Sequence, residues 1–285
     1  MKTATRTIRV AIALMAALAG PTLGVDHYLN VSDGLWTNSA SWSPASVPTG
    51  SDLAIIGHTG YASPGTCTVD TAGSVCSAVY VGHSGAAVGT LKITGGDITP
   101  GSGFSAIGDS ARGSVLQSGG MWNGGGMNLH IGNAAGSDGT YQLTGGILTN
   151  CGTIYVGASG TGAFELGGSG SVEGSGTSTL IGHANGATGT VTQAGGTWDN
   201  NSRDLVVGNQ AGSKGTYQLS GGTLTNCNTL YVGSSGNGMF ELSADGVVKG
   251  PAANTLIGYG NGATGTVTQT GGTWDNNAKD LVVGN

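Results

Sequence analysis

Residues 178–209 read STLIGHANGATGTVTQAGGTWDNNSRDLVVGN, and residues 254–285 read NTLIGYGNGATGTVTQTGGTWDNNAKDLVVGN. Each stretch is 32 residues long, and the two share 26 identities at an offset of 76. In the first copy, β-prone pieces at residues 179–181, 190–193 and 197–198 are separated by turns rich in Gly and Asn. Both residue types enter left-handed or tight conformations at low steric cost. Pieces this short do not hold a freestanding sheet, so each needs a like piece beside it.

The unit recurs along most of the chain. An aliphatic residue followed by glycine occurs at Ile56-Gly57, Val81-Gly82, Ile107-Gly108, Ile131-Gly132 and Val156-Gly157. It continues at Ile181-Gly182, Val207-Gly208, Val232-Gly233, Ile257-Gly258 and Val283-Gly284. Successive glycines are 25, 26, 24, 25, 25, 26, 25, 25 and 26 residues apart. A Gly-Thr or Gly-Ser series (Gly89, Gly113, Gly139, Gly189, Gly215, Gly265) and double glycines such as Gly195-Gly196 keep the same beat. Three strands in such a unit describe one coil of a solenoid, in which identical pieces stack from coil to coil. The expected fold is all-β: a parallel β-helix, or β-solenoid, of about ten coils with three short strands each. The general preference of parallel crossovers makes it right-handed. A propeller blade needs about 40 residues and four strands, and the L-x-x-L-x-L series of leucine-rich repeats is absent. The offset of 76 marks a three-coil superrepeat, which also relates Trp122 to Trp198 and Cys151 to Cys227.

Composition agrees. Glycine supplies 58 of 285 residues and only 8% are charged. Long helices are excluded, because glycine costs a helix about 1 kcal/mol each time. Collagen is excluded because glycine follows no every-third pattern. Residues 1–19 read as a signal peptide: Lys2, Arg6 and Arg9 precede a short apolar run and the Ala17-Leu18-Ala19 cleavage pattern. The run is too short for a transmembrane segment, which needs about twenty residues. Without the leader, 6 basic residues face 15 acidic ones, a net charge of −9. Nucleic acid is therefore not an expected partner. Residues 20–50, with Trp36, Trp42, Pro44 and Pro48, lack the beat and are expected to cap the first of the coils at 51–285. The chain stops at Asn285 inside a coil, which reads as a truncation.

Cysteine and tryptophan carry the remaining site expectations. Cys67 and Cys76 are close enough in sequence to bridge, and export would permit a disulfide. Cys151 and Cys227 should not bridge each other. Three rungs separate them by roughly 14 Å, whereas partner Cα atoms lie within about 7 Å. Trp122, Trp198 and Trp274 each precede an Asn- or Gly-rich turn. Pointing outward, they would form a ligand face for glycan or a repeated partner; pointing inward, the favoured placement, they fill a corner of the core.

The stretch GLWTNSASWSPASVPTGSDLAIIG (34–57) resembles the start of large secreted bacterial β-helix proteins, including autotransporter passenger regions and exported proteins with C-terminal sorting signals. The LVVGN…G…GT…GG units resemble their passenger repeats. This resemblance implies a stalk, adhesin or surface-layer component, whose partners would be glycans or cell-surface and extracellular matrix components.

Catalysis is not expected. Glycoside hydrolysis needs two facing carboxylates, but Asp199/Asp204 recurs as Asp275/Asp280 and Glu165 as Glu241, as repeated turns do. No metal or cofactor is expected either. His58, His83 and His183 follow beat glycines, yet Asp109, Asn133, Ala158, Asn209, Ser234 and Tyr259 share that column, as in an exposed turn. The expectation is a secreted or cell-surface structural or adhesive solenoid. A glycan-binding module and a β-helix carbohydrate-active enzyme are the alternatives.

Overall fold

The computed structural model describes residues 24–284. Residues 1–19, read above as a signal peptide, lie outside the described residues. Short parallel strands stack into a β-solenoid of about 10 turns. Each coil lays one strand on each of three walls. The first wall runs from Leu53–Ile56 through Ala78–Val81, Phe104–Ile107, Asn128–Ile131 and onward to Leu281–Val283. The second begins at Gly65–Val69 and ends at Thr264–Gln269, and the third begins at Ser74–Cys76 and ends at Thr273–Asp275. Two strands, Thr188–Val207 and Lys214–Val232, run on around the corners, with register shifts where the turns intrude.

The glycine beat makes one corner of every coil. All ten beat glycines, from Gly57 to Gly284, have φ between 64° and 77°. This is the left-handed region, costly for any residue with a Cβ. The corner is also tight. A Cβ on Gly182 would lie 2.1 Å from the Lys214 carbonyl oxygen, and one on Gly189 would lie 2.0 Å from that of Val156. Gly162 and Gly238, which precede Ala and Met, complete the second-wall column formed by the Gly-Thr series.

The core explains the superrepeat. On the second wall one inward column reads Val115, Tyr141, Phe164, Val191, Tyr217, Phe240, Val267. The facing column of the third wall reads Trp122, Leu148, Val172, Trp198, Leu224, Val248, Trp274. A large residue on one wall always meets a smaller one on the other. Trp faces Val, Tyr faces Leu and Phe faces Val, and the cycle closes after three coils. Interiors packed to crystal-like density need such volume matching. The rings form one continuous internal stack, from Trp122–Tyr141 at 6.0 Å between centroids to Phe240–Trp274 at 5.0 Å.

Buried polar atoms follow the same period. The Tyr217 hydroxyl donates to Gln193 Oε1 at 2.6 Å, and Tyr141 donates to Gln117 one superrepeat earlier. The Gln193 amide in turn donates to the Thr223 carbonyl at 3.1 Å. Asn200, fully buried, accepts from Thr179 Oγ1 at 2.8 Å and donates to the Arg203 carbonyl at 2.7 Å.

The described part of the expected cap segment, residues 24–50, adds strands to the walls. Strand β1 (Asp26–Leu29) pairs in parallel with Leu53–Ile56, and β2 (Asp33–Leu35) pairs in parallel with Gly65–Val69. They form an incomplete first coil. β3 (Trp42–Ser43) then folds back antiparallel to β1. Trp36 and Trp42 are buried edge to face at 5.2 Å and plug the core, and Trp42 Nε1 donates to the Trp36 carbonyl at 2.9 Å. Among the described residues no helix is long and apolar enough to cross a membrane.

Candidate functional site

Trp122 and Trp198 are 1% and 0% exposed, and Trp274 packs half-buried against the same core. The outward ligand face is therefore not formed, and the inward placement holds. An indole opposite a valine fills space that no other side chain of that coil occupies. Cys67 and Cys76 are buried free thiols, so the bridge their spacing allows is not made. They stand on the second and third walls of one coil, each within its own stacked column, Cys67 under Leu91 and Cys76 under Pro100. Cys151 and Cys227 are likewise buried and free, as expected of small apolar fillers.

Side chains of a different kind converge on the outer face of the first wall. In–out alternation points the residue two places before each beat glycine outward, as in Asn128–Ile131, where Leu129 and Ile131 are buried. That column reads Tyr28, Ile55, Tyr80, Ala106, His130, Tyr155, Leu180, Val206, Tyr231. Ala106 brings no ring, and Phe104 fills its place, 5.6 Å from Tyr80 and 4.6 Å from His130. Tyr155 continues the stack at 4.6 Å from His130, and His183 lies 5.0 Å beyond it. At the other end His83 stacks on Tyr80 at 5.4 Å and on His58 at 5.8 Å, while Tyr28 and Tyr61 stack at 4.3 Å. The result is a ridge of aromatic and imidazole rings along the first coils.

A hydrogen-bonded chain sets the tautomers along this ridge. His83 Nδ1 lies 2.8 Å from Asp109 Oδ2, and a carboxylate only accepts, so Nδ1 carries the hydrogen. Asn133 donates to the other Asp109 oxygen at 2.8 Å, which turns its own amide oxygen toward His130 Nδ1 at 2.7 Å. His130 therefore also carries its hydrogen on Nδ1, and its Nε2 is buried without a hydrogen-bond partner among the described residues. Burial lowers the His130 pKa, opposed by the bond to Asn133, and burial alone lowers that of His183. Burial, followed by the charge of Asp109, raises the Tyr80 pKa.

The histidine column after the beat glycines was visible in the sequence, but its chemistry was not. Asp109 and Asn133 look like two more polar turn residues until the stacking of coils sets them between His83 and His130. Tyr80, Tyr155 and Tyr231 did carry a signal, since each stands two residues before a beat glycine. Of the repeated acids, Glu165 and Glu241 sit within second-wall strands and accept from Gln142 at 2.9 Å and Gln218 at 2.8 Å, whereas Asp199 and Asp204 hold turns. Asp199 accepts from the Asn201 backbone at 2.8 Å and from Asn226 at 2.8 Å, and Asp204 accepts from Asn228 at 2.8 Å and the Thr229 backbone at 3.1 Å. Among the described residues no group of three or more His, Cys, Asp or Glu is placed to hold a metal ion. No protein family, curated protein or solved structure matches the chain.

Proposed function

We propose that this chain is a secreted or cell-surface structural element, a stiff solenoid stalk or adhesive spacer that works without catalysis. The observation that carries the reading is the parallel stacking of all three walls through the complete coils, with one large–small volume cycle repeated from Val115 and Trp122 to Val267 and Trp274. A protein assembled by copying a load-sharing block gains length and stiffness with each copy. Of the acids that an enzyme reading would recruit, Asp199, Asp204 and Asp275 hold turns, and Glu165 and Glu241 accept from glutamines one coil away. The leader-like residues 1–19 and the passenger-like repeats support export. The outer ring ridge, which departs from the superrepeat, is the natural contact surface.

Fractionation of bacterial cells expressing the full chain tests this proposal. The protein should reach the medium or cell surface and lose that location when residues 1–19 are deleted. Retention of the full chain in the cytoplasm would overturn export. Turnover of a plant or microbial polysaccharide by purified protein would overturn the non-catalytic reading.

A further inference from the structure

We propose that His58 and His83 form a two-imidazole site for a late first-row divalent metal ion. The two residues follow successive beat glycines, and their turns sit one upon the other, with His83 N donating to the Gly57 carbonyl at 2.9 Å. Their rings stack at 5.8 Å with 26° between planes. His83 already has the tautomer of a ligand. Its Nδ1–H points to Asp109, leaving the Nε2 lone pair free, and Asp109 is itself held by Asn133. A carboxylate behind an imidazole is the usual outer support of a metal-bound histidine. His58 accepts the Gly60 backbone N–H on Nδ1 at 3.1 Å, so its ring hydrogen is on Nε2. Ligation moves that hydrogen to Nδ1 and releases the Gly60 bond, with no net proton lost.

Two metal–nitrogen bonds of about 2.0–2.1 Å need the nitrogens within about 4 Å of each other. The imidazoles must lean together from their stacked separation. Both are only half-buried and lie on turns, which permits the rotation. With solvent completing the sphere, affinity should follow the general order for nitrogen sites, with Cu²⁺ tightest. The pairing is confined to these coils: the position below His183 holds Ala158 and the one above holds Asn209. His183 is thus an internal control with one imidazole.

The test is Cu²⁺ titration of the tag-free protein by calorimetry at neutral pH, with electron paramagnetic resonance of the loaded sample. One saturable site with coupling from two imidazole nitrogens is expected. His58→Ala and His83→Ala should each weaken binding at least about tenfold, and Asp109→Asn should weaken it about 10–100-fold, the usual range for an outer-shell partner. His183→Ala should bind as the parent does. Absence of saturable binding, a one-nitrogen spectrum, or equal losses in the His183 and His83 variants would overturn the proposal. The two-nitrogen signature is read on unmodified protein, so a poorly folded variant leaves the test intact.

Discussion

Gly182 and Gly186 separate two reasons for needing glycine. Both have positive φ, 66° and 80°, but a Cβ on Gly186 meets nothing within 4 Å whereas one on Gly182 collides with the next coil. Gly186→Ala should cost only the left-handed penalty of about 1–2 kcal/mol. Gly182→Ala should cost clearly more, since backbone must move. Urea midpoints of the two variants check this, and equal losses would show that the coil contact is unimportant. The Tyr217–Gln193 bond offers a second comparison. Tyr217→Phe leaves a buried amide oxygen without its donor, at a cost of about 1–3 kcal/mol. Tyr217→Phe combined with Gln193→Leu should lose less than the sum of the two single variants, because the stranded acceptor disappears.

At the level of elements, the facing inward columns make a sharper prediction. Trp198→Val should cost about 3–5 kcal/mol, as large core truncations do. Adding Val191→Phe should recover part of the loss, because Phe opposite Val is the pair the neighbouring coils already use at Phe164 and Val172. Thermal melts of the single and double variants decide the matter; a double variant no better than Trp198→Val would refute volume exchange between walls. The outer ridge predicts a pH response. His130 and His183 have folded-state pKa values lowered by burial, so the unfolded chain takes up protons first as the pH falls. Their contribution to stability is full above the ordinary histidine value of about 6.5. It is lost as the pH falls from there through the lowered folded values. Melting temperature should drop between neutral pH and about pH 5, and His130→Gln with His183→Gln should flatten that slope.

For the molecule as a whole, all four cysteines are buried free thiols. Burial raises each pKa, to about 12 for Cys151 and Cys227. A thiol-specific reagent should therefore label none of them in the native state, then all of them as urea unfolds the solenoid. Rapid labelling of native protein would contradict the packing. What was legible in the sequence follows from the same architecture. The beat glycines predicted the corners because every coil repeats the same left-handed turn, and repetition amplifies a weak local signal tenfold. Trp36 and Trp42 were legible as end cover but not as part of an extra coil, since β1 and β2 lack the beat. The Tyr80–Phe104–His130 stack was hidden because its members fall at unequal positions in separate coils, and only a register brings their rings into contact.

The sequence by itself determined the period, the three walls and the three-coil copy, because each is a property of spacing along the chain. Only the tertiary structure decided where side chains go. It turned Trp122 and Trp198 inward, since the valine across the core leaves room for an indole. It left Cys67 and Cys76 unbridged on separate walls. It also set Asp109 between His83 and Asn133, because stacking turns residues some 25 positions apart into neighbours one rung, about 4.8 Å, away.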